Sequence, residues 1–347
     1  MRNTFGTRTS RRNLLTGALG LGATALLAAC GDTADSTPST AGSAAAAGPF
    51  TYTDGRGKSI SLPRTPSKIV AQVGAAAALW DFGIRPIGIF GPSKKADGSQ
   101  DPQSGSVDLA AVTSVGNVYG EFNVEKYLAL QPELMISTMF DPKLLWYVPE
   151  ESAGKIEQIA PSIGVQLTKV DLLDAIKKFE ELAGKLGADL TAASITTAKT
   201  AFATADEALK TAAAKATAAG LRVGAFSADK NTAYLAVPEN YPDLLHYTKQ
   251  GVPLTVPTKP DSANAWWESL SWENVAKYPF DVILYDTRTQ AVPNSELVKT
   301  NPAWAALPAV QNNQIIDWYS EGQLSYQGYT DRLTDVAAKL STFKKIA

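Results

Sequence analysis

The sequence predicts an α/β protein of two lobes joined by one long helix. Short apolar runs of strand type, such as KIVAQV and LMIS, alternate with helical patterns, as in parallel sheets that helices cover on both faces. A second series with the same rhythm begins at RVGAFSAD and includes DVILYD and QIIDW. More residues follow Phe50 than one hydrophobic core usually organises. We therefore expect one lobe over residues 49–170 and the other over residues 189–347.

The linking helix is predicted over residues 171–188. The segment between the two series consists almost entirely of helix formers. Apolar residues recur there at spacings of three and four, which gives the helix one buried stripe: Leu172, Ile176, Phe179, Leu182 and Leu186. Asp171 or Asp174 can cap its start, and Gly187 is placed to end it.

The N-terminal segment has the three parts of an export signal. A basic head with Arg11 and Arg12 precedes an apolar run over residues 14–29, and small residues come directly before Cys30. The run is shorter than the roughly 20 apolar residues that a bilayer span needs. The paired arginines resemble the twin-arginine signal, and LAAC resembles the bacterial lipobox, in which the cysteine becomes the lipidated first residue. We expect a signal peptide over 1–29 and a lipid on Cys30, which would hold the protein at the outer face of the cytoplasmic membrane. The alternative is a buried structural cysteine behind an unprocessed helix.

The segment over residues 30–48 predicts a disordered tether, because it is rich in Ser, Thr, Ala, Gly and Pro and has no large apolar residue. Cleavage before Cys30 removes four arginines, so 32 basic and 34 acidic residues become 28 and 34, a net charge of −6. A mildly acidic chain disfavours nucleic acid as a partner, since nucleic acid requires a concentrated basic surface. A single cysteine also excludes an internal disulfide and disfavours a thiolate metal site.

Five stretches of the sequence together resemble one protein family. YTDGRGKSISLPRTPSKIV is similar to its opening, and FNVEKYLALQPELMIS resembles its first-lobe signature of a Glu-bearing helix, a turn and a buried strand. IEQIAPSIGVQL resembles the next helix and strand. LSWENVAKYPFDVILYD repeats the signature in the second lobe, and WAALPAVQNNQIIDW resembles the penultimate helix and strand. The family is the metal-chelate class of substrate-binding lipoproteins, which serve bacterial ABC importers of ferric siderophores, haem and cobalamin.

The resemblance implies two Rossmann-like α/β lobes joined by a single long backbone helix, with the ligand cleft between the lobes. It implies a monomeric binding protein without enzymatic activity or cofactor, which captures a ferric siderophore and passes it to the permease subunits of an ABC importer. Glu125 and Glu273 fall where this family carries one glutamate per lobe for docking to permease arginines. From the sequence alone, each is equally a solvated glutamate near a helix start.

The ligand-binding residues are expected at the carboxyl ends of the strands, where open α/β sheets bind their ligands. A ferric chelate has much apolar surface, so its site should offer aromatic walls and a few directed donors. The candidates are Gln72, Phe90, Tyr119, Phe140, Trp146, Tyr234, Trp266, Trp267, Arg288, Trp318 and Tyr326. For each aromatic residue the alternative is core packing. Arg288 can donate hydrogen bonds to chelate oxygens, and its alternative is an ion pair with Asp286 or another acid.

The residue composition favours a hydroxamate siderophore as the ligand. Haem and bare metal sites favour histidine, and the chain has only His246, on a helical pattern. Few positive charges beside many aromatic residues fit a neutral or weakly charged chelate, and hydroxamate siderophores are of that kind. Cobalamin or haem binding remains an alternative, as does a surface sensor or adhesin without a transport role. The sequence lacks a Gly-x-Ser-x-Gly elbow and a His-rich metal motif, which disfavours an enzyme, although a carboxylate-pair hydrolase leaves no such mark.

Overall fold

The computed structural model describes residues 48–262 and 265–346. The predicted signal peptide over 1–29, the predicted lipidation site Cys30 and residues 30–47 of the predicted tether lie outside the described residues. Within the described ranges, no helix is both long and apolar enough to cross a bilayer.

The first lobe contains a five-stranded parallel sheet, as the alternating pattern predicts. An antiparallel ribbon of β1 (Phe50–Thr53) and β2 (Ser59–Leu62) precedes it. The sheet consists of β3 (Ile69–Gln72), β4 (Gly88–Phe90), β5 (Thr113–Ser114), β6 (Leu134–Met139) and β7 (Ser162–Gln166). Their order is β5-β4-β3-β6-β7, and all neighbours are parallel. The connections include α1 (Val73–Asp81), a 3-10 helix (Pro102–Ser104), α2 (Val124–Ala129) and α3 (Glu150–Ile159).

Along the chain, two helices separate the strands of the first sheet from those of the second: α4 (Leu172–Lys185) and α5 (Ala193–Ala218). The helix predicted over 171–188 corresponds to α4, whose N-cap Asp171 accepts a hydrogen bond from the Leu173 N–H at 3.0 Å. Gly187 follows its end with a φ of 95°, which glycine adopts readily. The sequence did not separate α5 from the second lobe, although α5 is the longer helix with 26 residues. The boundaries between lobes and linker stay predictions.

The second lobe contains a mixed sheet, which corrects the expectation of a second fully parallel one. Its strands are β8 (Val223–Ala228), β9 (Thr232–Ala236), β10 (Trp267–Ser271), β11 (Val282–Asp286) and β12 (Ile315–Trp318). The order is β10-β9-β8-β11-β12, in which β8, β11 and β12 are parallel and β9 and β10 run antiparallel to their neighbours. The physical reason is the short turn after β8, since only antiparallel strands can be joined by a hairpin. In this turn the Asp229 carboxylate accepts the N–H groups of Asn231 and Thr232 at 2.7 and 2.8 Å.

The remaining helices surround the second sheet. They are a 3-10 helix (Pro238–Asn240), α6 (Pro242–Lys249), a 3-10 helix (Trp272–Lys277), α7 (Asn294–Thr300), α8 (Pro302–Ala305), α9 (Pro308–Gln311) and α10 (Tyr326–Thr342). Helix α5 packs along α10.

One hydrophobic core includes residues of both lobes. It contains Ile136 of β6, Phe179 of α4, Leu209 of α5, Leu284 of β11 and Leu333 of α10, all at most 1% exposed. The two sheets are therefore fixed to each other through the packing of α4 and α5, and this packing holds the segments that follow β6, β11 and β12 near one another.

Candidate functional site

A cleft of about 280 Å³ lies between the two lobes. The first lobe lines it with Phe140, Asp141 and Trp146, which follow β6. The second lobe lines it with Tyr241, Asp261, Ala265, Trp266, Trp267, Arg288 and Glu321. Arg288 follows β11 and Glu321 follows β12, so the cleft lies beyond the carboxyl ends of parallel strands, as expected for an open α/β sheet. Its volume is close to the roughly 300 Å³ at which small-molecule sites begin.

Eight aromatic side chains form a continuous series of ring contacts across this cleft, which we call the aromatic wall: Tyr119, Phe140, Trp146, Tyr234, Tyr241, Trp266, Trp267 and Trp318. The lobes meet at Phe140 and Trp266, whose ring centroids are 5.3 Å apart. Trp266 in turn packs on Tyr241 at 4.8 Å. The contacts along this series are edge-to-face or tilted, the geometries that aromatic pairs prefer.

The backbone holds the tryptophans of the wall in place. The backbone of Trp146 is bound to β6, because its amide N–H donates to the Thr138 carbonyl at 2.9 Å and its carbonyl accepts from the Ser137 hydroxyl at 2.8 Å. The next residue, Tyr147, has a φ of 64°, an uncommon conformation for a residue with a side chain. The Trp266 carbonyl accepts from the Val237 N–H at 2.8 Å, which extends the pairing of β9 and β10 by one residue.

Arg288 is bound by two carboxylates at the cleft. Its Nε donates to Asp286 at 2.9 Å, its Nη2 lies 2.8 Å from the same carboxylate, and its Nη1 donates to Glu321. Glu321 also accepts the indole N–H of Trp146, from the opposite lobe, at 3.0 Å. Burial lowers the pKa of the Arg288 guanidinium, but the charges of Asp286 and Glu321 outweigh it and raise this pKa, so the group stays charged. The ion pair with Asp286, the alternative for Arg288, is thus present, and Arg288 still lines the cleft.

The structure places several candidates away from the cleft lining. Phe90 is fully buried against Phe122, with centroids 5.1 Å apart. Tyr326 is buried at the start of α10 and donates to Glu180 at 2.8 Å. Both lie on the core-facing side of their elements, which a strand-end rule does not specify. Gln72 caps α1 by accepting the Ala75 N–H at 3.1 Å.

A smaller cavity of about 20 Å³ lies beside the cleft and shares Phe140 and Glu321 with it. Gln72 and Thr138 also line this cavity, which is large enough for a single water molecule. Gln72 is therefore next to the cleft but behind its lining. Three residues of the aromatic wall do not line the cleft: Tyr119, Tyr234 and Trp318. Tyr119 packs on Trp146, and Tyr234 and Trp318 pack on Trp267.

Residues 71–321 match the model of a family described as periplasmic binding protein. The chain belongs to the periplasmic binding protein family. The crystal structure of DesE, a ferric-siderophore receptor protein from Streptomyces coelicolor, matches with a TM-score of 0.82 and 39% sequence identity, over 86% of this chain and 100% of that chain. The family match and this structure confirm the predicted fold class and the resemblance to metal-chelate binding proteins.

Two further similar proteins have names that refer to iron. The iron uptake ABC transporter substrate-binding protein PiuA from Streptococcus pneumoniae shares the fold, with a TM-score of 0.59 and 22% identity over 84% of this chain and 98% of that chain. The iron(3+)-hydroxamate-binding protein FhuD of Bacillus subtilis is 26% identical over 161 residues, 46% of this chain, and the match spans 45% of that relative. Membership of a periplasmic binding protein family implies an extracytoplasmic location.

Sequence reasoning missed four lining residues of this periplasmic binding protein that carry polar groups: Asp141, Tyr241, Asp261 and Glu321. Glu321 comes three residues after the end of β12, so the strand-end rule applies to it, but a carboxylate is neither a donor nor an aromatic ring, the groups expected of a chelate site. Tyr241 is the N-cap residue of α6. Asp261 lies in the loop before β10, where no sequence signal marks it.

Glu125 and Glu273 occupy corresponding places in the two lobes of the binding protein. Each lies in the first turn of a short helix, and each of these helices precedes a parallel strand that pairs with the first strand of its sheet. Both side chains are exposed. Their docking role stays a prediction.

His246 lies outside the cleft, buried where α4, α5 and α6 meet. Its Nδ1 is 3.2 Å from Asp171 and its Nε2 is 2.7 Å from Asp206. Burial lowers the pKa of the imidazole, but the two carboxylates outweigh it and raise this pKa. Burial raises the pKa of Asp171, yet its hydrogen bond and charge interaction with His246 prevail and lower it to about 2. Across the described residues, no group of three or more His, Cys, Asp or Glu side chains could hold a metal ion.

Proposed function

We propose that this protein captures a ferric siderophore, of the hydroxamate type, and delivers it to an ABC importer. The observation that carries the proposal is the aromatic wall across an interlobe cleft, in a chain that is 39% identical to a ferric-siderophore receptor protein. The hydroxamate class is supported by the similarity to an iron(3+)-hydroxamate-binding protein. It is also supported by the lining, in which Arg288 is the one basic residue among those described.

The wall suits the organic shell of a ferric chelate. Its rings offer apolar surface from both lobes, while Arg288 and the carboxylates at the cleft add directed polar groups. Because the rings contact one another and two of the tryptophans are held by backbone hydrogen bonds, little side-chain entropy is lost when a ligand binds. The function is capture and release, without a chemical step and without a cofactor.

The transport role rests on features outside the cleft. We infer that Glu125 and Glu273 dock onto permease arginines, since exposed carboxylates on two lobes can steer and align a partner. We further infer an exported monomer that a lipid on Cys30 anchors to the outer face of the cytoplasmic membrane. Nucleic acid has no part in this function.

Tryptophan fluorescence tests the proposal, because four tryptophans belong to the wall: Trp146, Trp266, Trp267 and Trp318. The purified protein is titrated with a ferric hydroxamate, a ferric catecholate, haem and cobalamin. We expect saturable quenching by the hydroxamate at sub-micromolar concentration. Quenching by haem or cobalamin alone would identify that molecule as the ligand, within the same class of binding protein. A response to none of the four would favour a sensor or adhesin. A Trp80→Phe variant is the matched control, because Trp80 packs under Arg85 outside the cleft.

A further inference from the structure

Glu321 places a negative charge inside the cleft at a fixed position. Its side chain is 8% exposed and is bound from two sides, by Arg288 of the second lobe and by the Trp146 indole of the first. The next residue, Gly322, packs so closely that an added Cβ would lie 2.0 Å from the Arg332 guanidinium and 2.7 Å from the Tyr329 hydroxyl. The backbone beside Glu321 is therefore closely packed, and the hydrogen bonds from Arg288 and Trp146 hold the carboxylate at the cleft.

Arg288 is already neutralised by its own neighbours. Its Nε and Nη2 face Asp286, whose side chain is fully buried, and its Nη1 faces Glu321. The charges of two carboxylates thus surround one guanidinium. An anionic group entering the cleft would find the charge of Arg288 already outweighed by Asp286 and Glu321. It would also be repelled by Glu321, because the space around this carboxylate is partly desolvated.

The rest of the lining adds to the negative charge. Asp141 from the first lobe and Asp261 from the second are the other charged lining residues in the described part of the chain. Both are exposed, and Asp261 is held by the Ser269 N–H at 2.8 Å and the Ser269 hydroxyl at 2.7 Å. Because solvent and salt screen exposed charges, their effect is weaker than that of Glu321.

We propose that Glu321 is the residue that sets the charge selectivity of this cleft, so that it favours ferric hydroxamates carrying a positive charge and rejects anionic chelates. This inference rests on the proposed function and restricts its ligands to one charge type. The aromatic wall supports the same selectivity, because the faces of tryptophan and tyrosine rings attract cations.

A series of three ligands with one iron core tests the inference. Ferrioxamine B carries a free ammonium beside its ferric hydroxamates, its N-acetyl derivative is neutral, and its N-succinyl derivative carries a carboxylate. Each is titrated into the wild-type protein and into Glu321→Gln, which keeps the shape of the side chain and one carbonyl oxygen for Arg288. Wild-type affinity should fall from the positive to the negative ligand. The substitution should reduce the ratio between these two affinities by more than about a hundredfold, because the ligands differ by two charges and each charge is worth somewhat more than tenfold at an effective dielectric constant of about 20 and a separation of about 10 Å.

A matched control and a second measurement complete the test. Glu207→Gln removes an exposed carboxylate of α5, paired with Lys210 at 3.7 Å, and should leave all three affinities unchanged. For the wild-type protein, the preference should shrink as salt is added, whether or not Glu321→Gln folds well. Equal wild-type affinities for the three ligands would overturn the charge rule, while the hydroxamate function would stand. Equal changes for the three ligands in Glu321→Gln would overturn the role of Glu321, and binding of none of the three would instead refute the proposed function.

Discussion

Replacement of Asp243 by asparagine is expected to remove part of the pH dependence of stability. Asp243 lies in the first turn of α6, and its side chain is buried behind the aromatic wall. It accepts the Trp318 indole N–H at 2.8 Å and the Leu244 N–H at 2.9 Å. Burial raises the pKa of this carboxyl to about 6, since these hydrogen bonds and the Arg332 charge only partly offset it.

The sign and size of the effect follow from proton linkage. Between the ordinary pKa of 3.8 and the folded-state pKa of about 6, the folded protein holds a proton that the unfolded chain has released. The free energy of unfolding therefore falls as the pH rises through this window, by about 1.4 kcal/mol per pH unit and about 3 kcal/mol in total. Asparagine has no such proton. The substitution itself lowers the free energy of unfolding by about 1 kcal/mol, because the two N–H groups reach different carboxylate oxygens and the amide replaces one of these by a nitrogen.

Urea unfolding followed by tryptophan fluorescence measures this difference at about pH 4.5 and about pH 7.5. Between these values the wild-type protein should lose about 2 kcal/mol more stability than Asp243→Asn, because the window of Asp243 covers about 1.5 pH units there. Asp331→Asn, a change of an exposed carboxyl on α10, should behave like the wild type. The same pH dependence in Asp243→Asn and in the wild type would refute the reasoning.

Three further predictions concern ligand binding, transport and the buried histidine. Trp266→Ala should weaken binding of the ferric hydroxamate by about tenfold to a hundredfold, because it removes the ring that joins the two halves of the wall, and an unchanged Kd in the fluorescence titration would count against the cleft as the site. Glu125→Arg combined with Glu273→Arg should abolish cellular uptake of labelled ferric siderophore while the purified variant binds it normally, and loss of binding itself would contradict a docking role. His246→Ala should cost more stability at about pH 6 than at about pH 9, because a raised histidine pKa contributes stability below its unfolded value of 6.5 that is lost as the pH rises through the folded pKa. An equal loss at both pH values in thermal unfolding would show that the charge on His246 does not contribute.

The alternation of strand and helix patterns predicted the first sheet and the α4 helix correctly because these depend on local sequence. Runs such as LMIS are buried on both faces, and the apolar stripe of α4 repeats with the helical period. The antiparallel β9 and β10 were missed, although the turn from Asp229 to Asn231 is short enough to mark a hairpin. Strand direction depends on the length of such connections, which the alternation of patterns does not measure.

The candidate site was predictable as a region and less so residue by residue. The strand-end rule placed Phe140, Trp146 and Arg288 at the cleft, because the carboxyl ends of parallel strands share one edge. It also selected Phe90, since the end of a strand does not reveal which side chain turns inward. The ion pairing of Arg288 involves Glu321, which is 33 positions away in sequence and comes within hydrogen-bond distance only in the folded chain. Contact of these residues with a ligand stays a prediction.

The contacts between the lobes fix the width of the cleft. The Tyr147 hydroxyl accepts from Gln290 at 2.9 Å, Thr289 donates to Asp101, and the shared core holds both sheets behind the wall. The distance between the two halves of the wall is thus set by packing that extends through the whole body of the protein. A cleft of fixed width would select chelates by their diameter. Replacing one lobe with that of a homologous binding protein would change the width of the cleft as well as the chemistry of its lining.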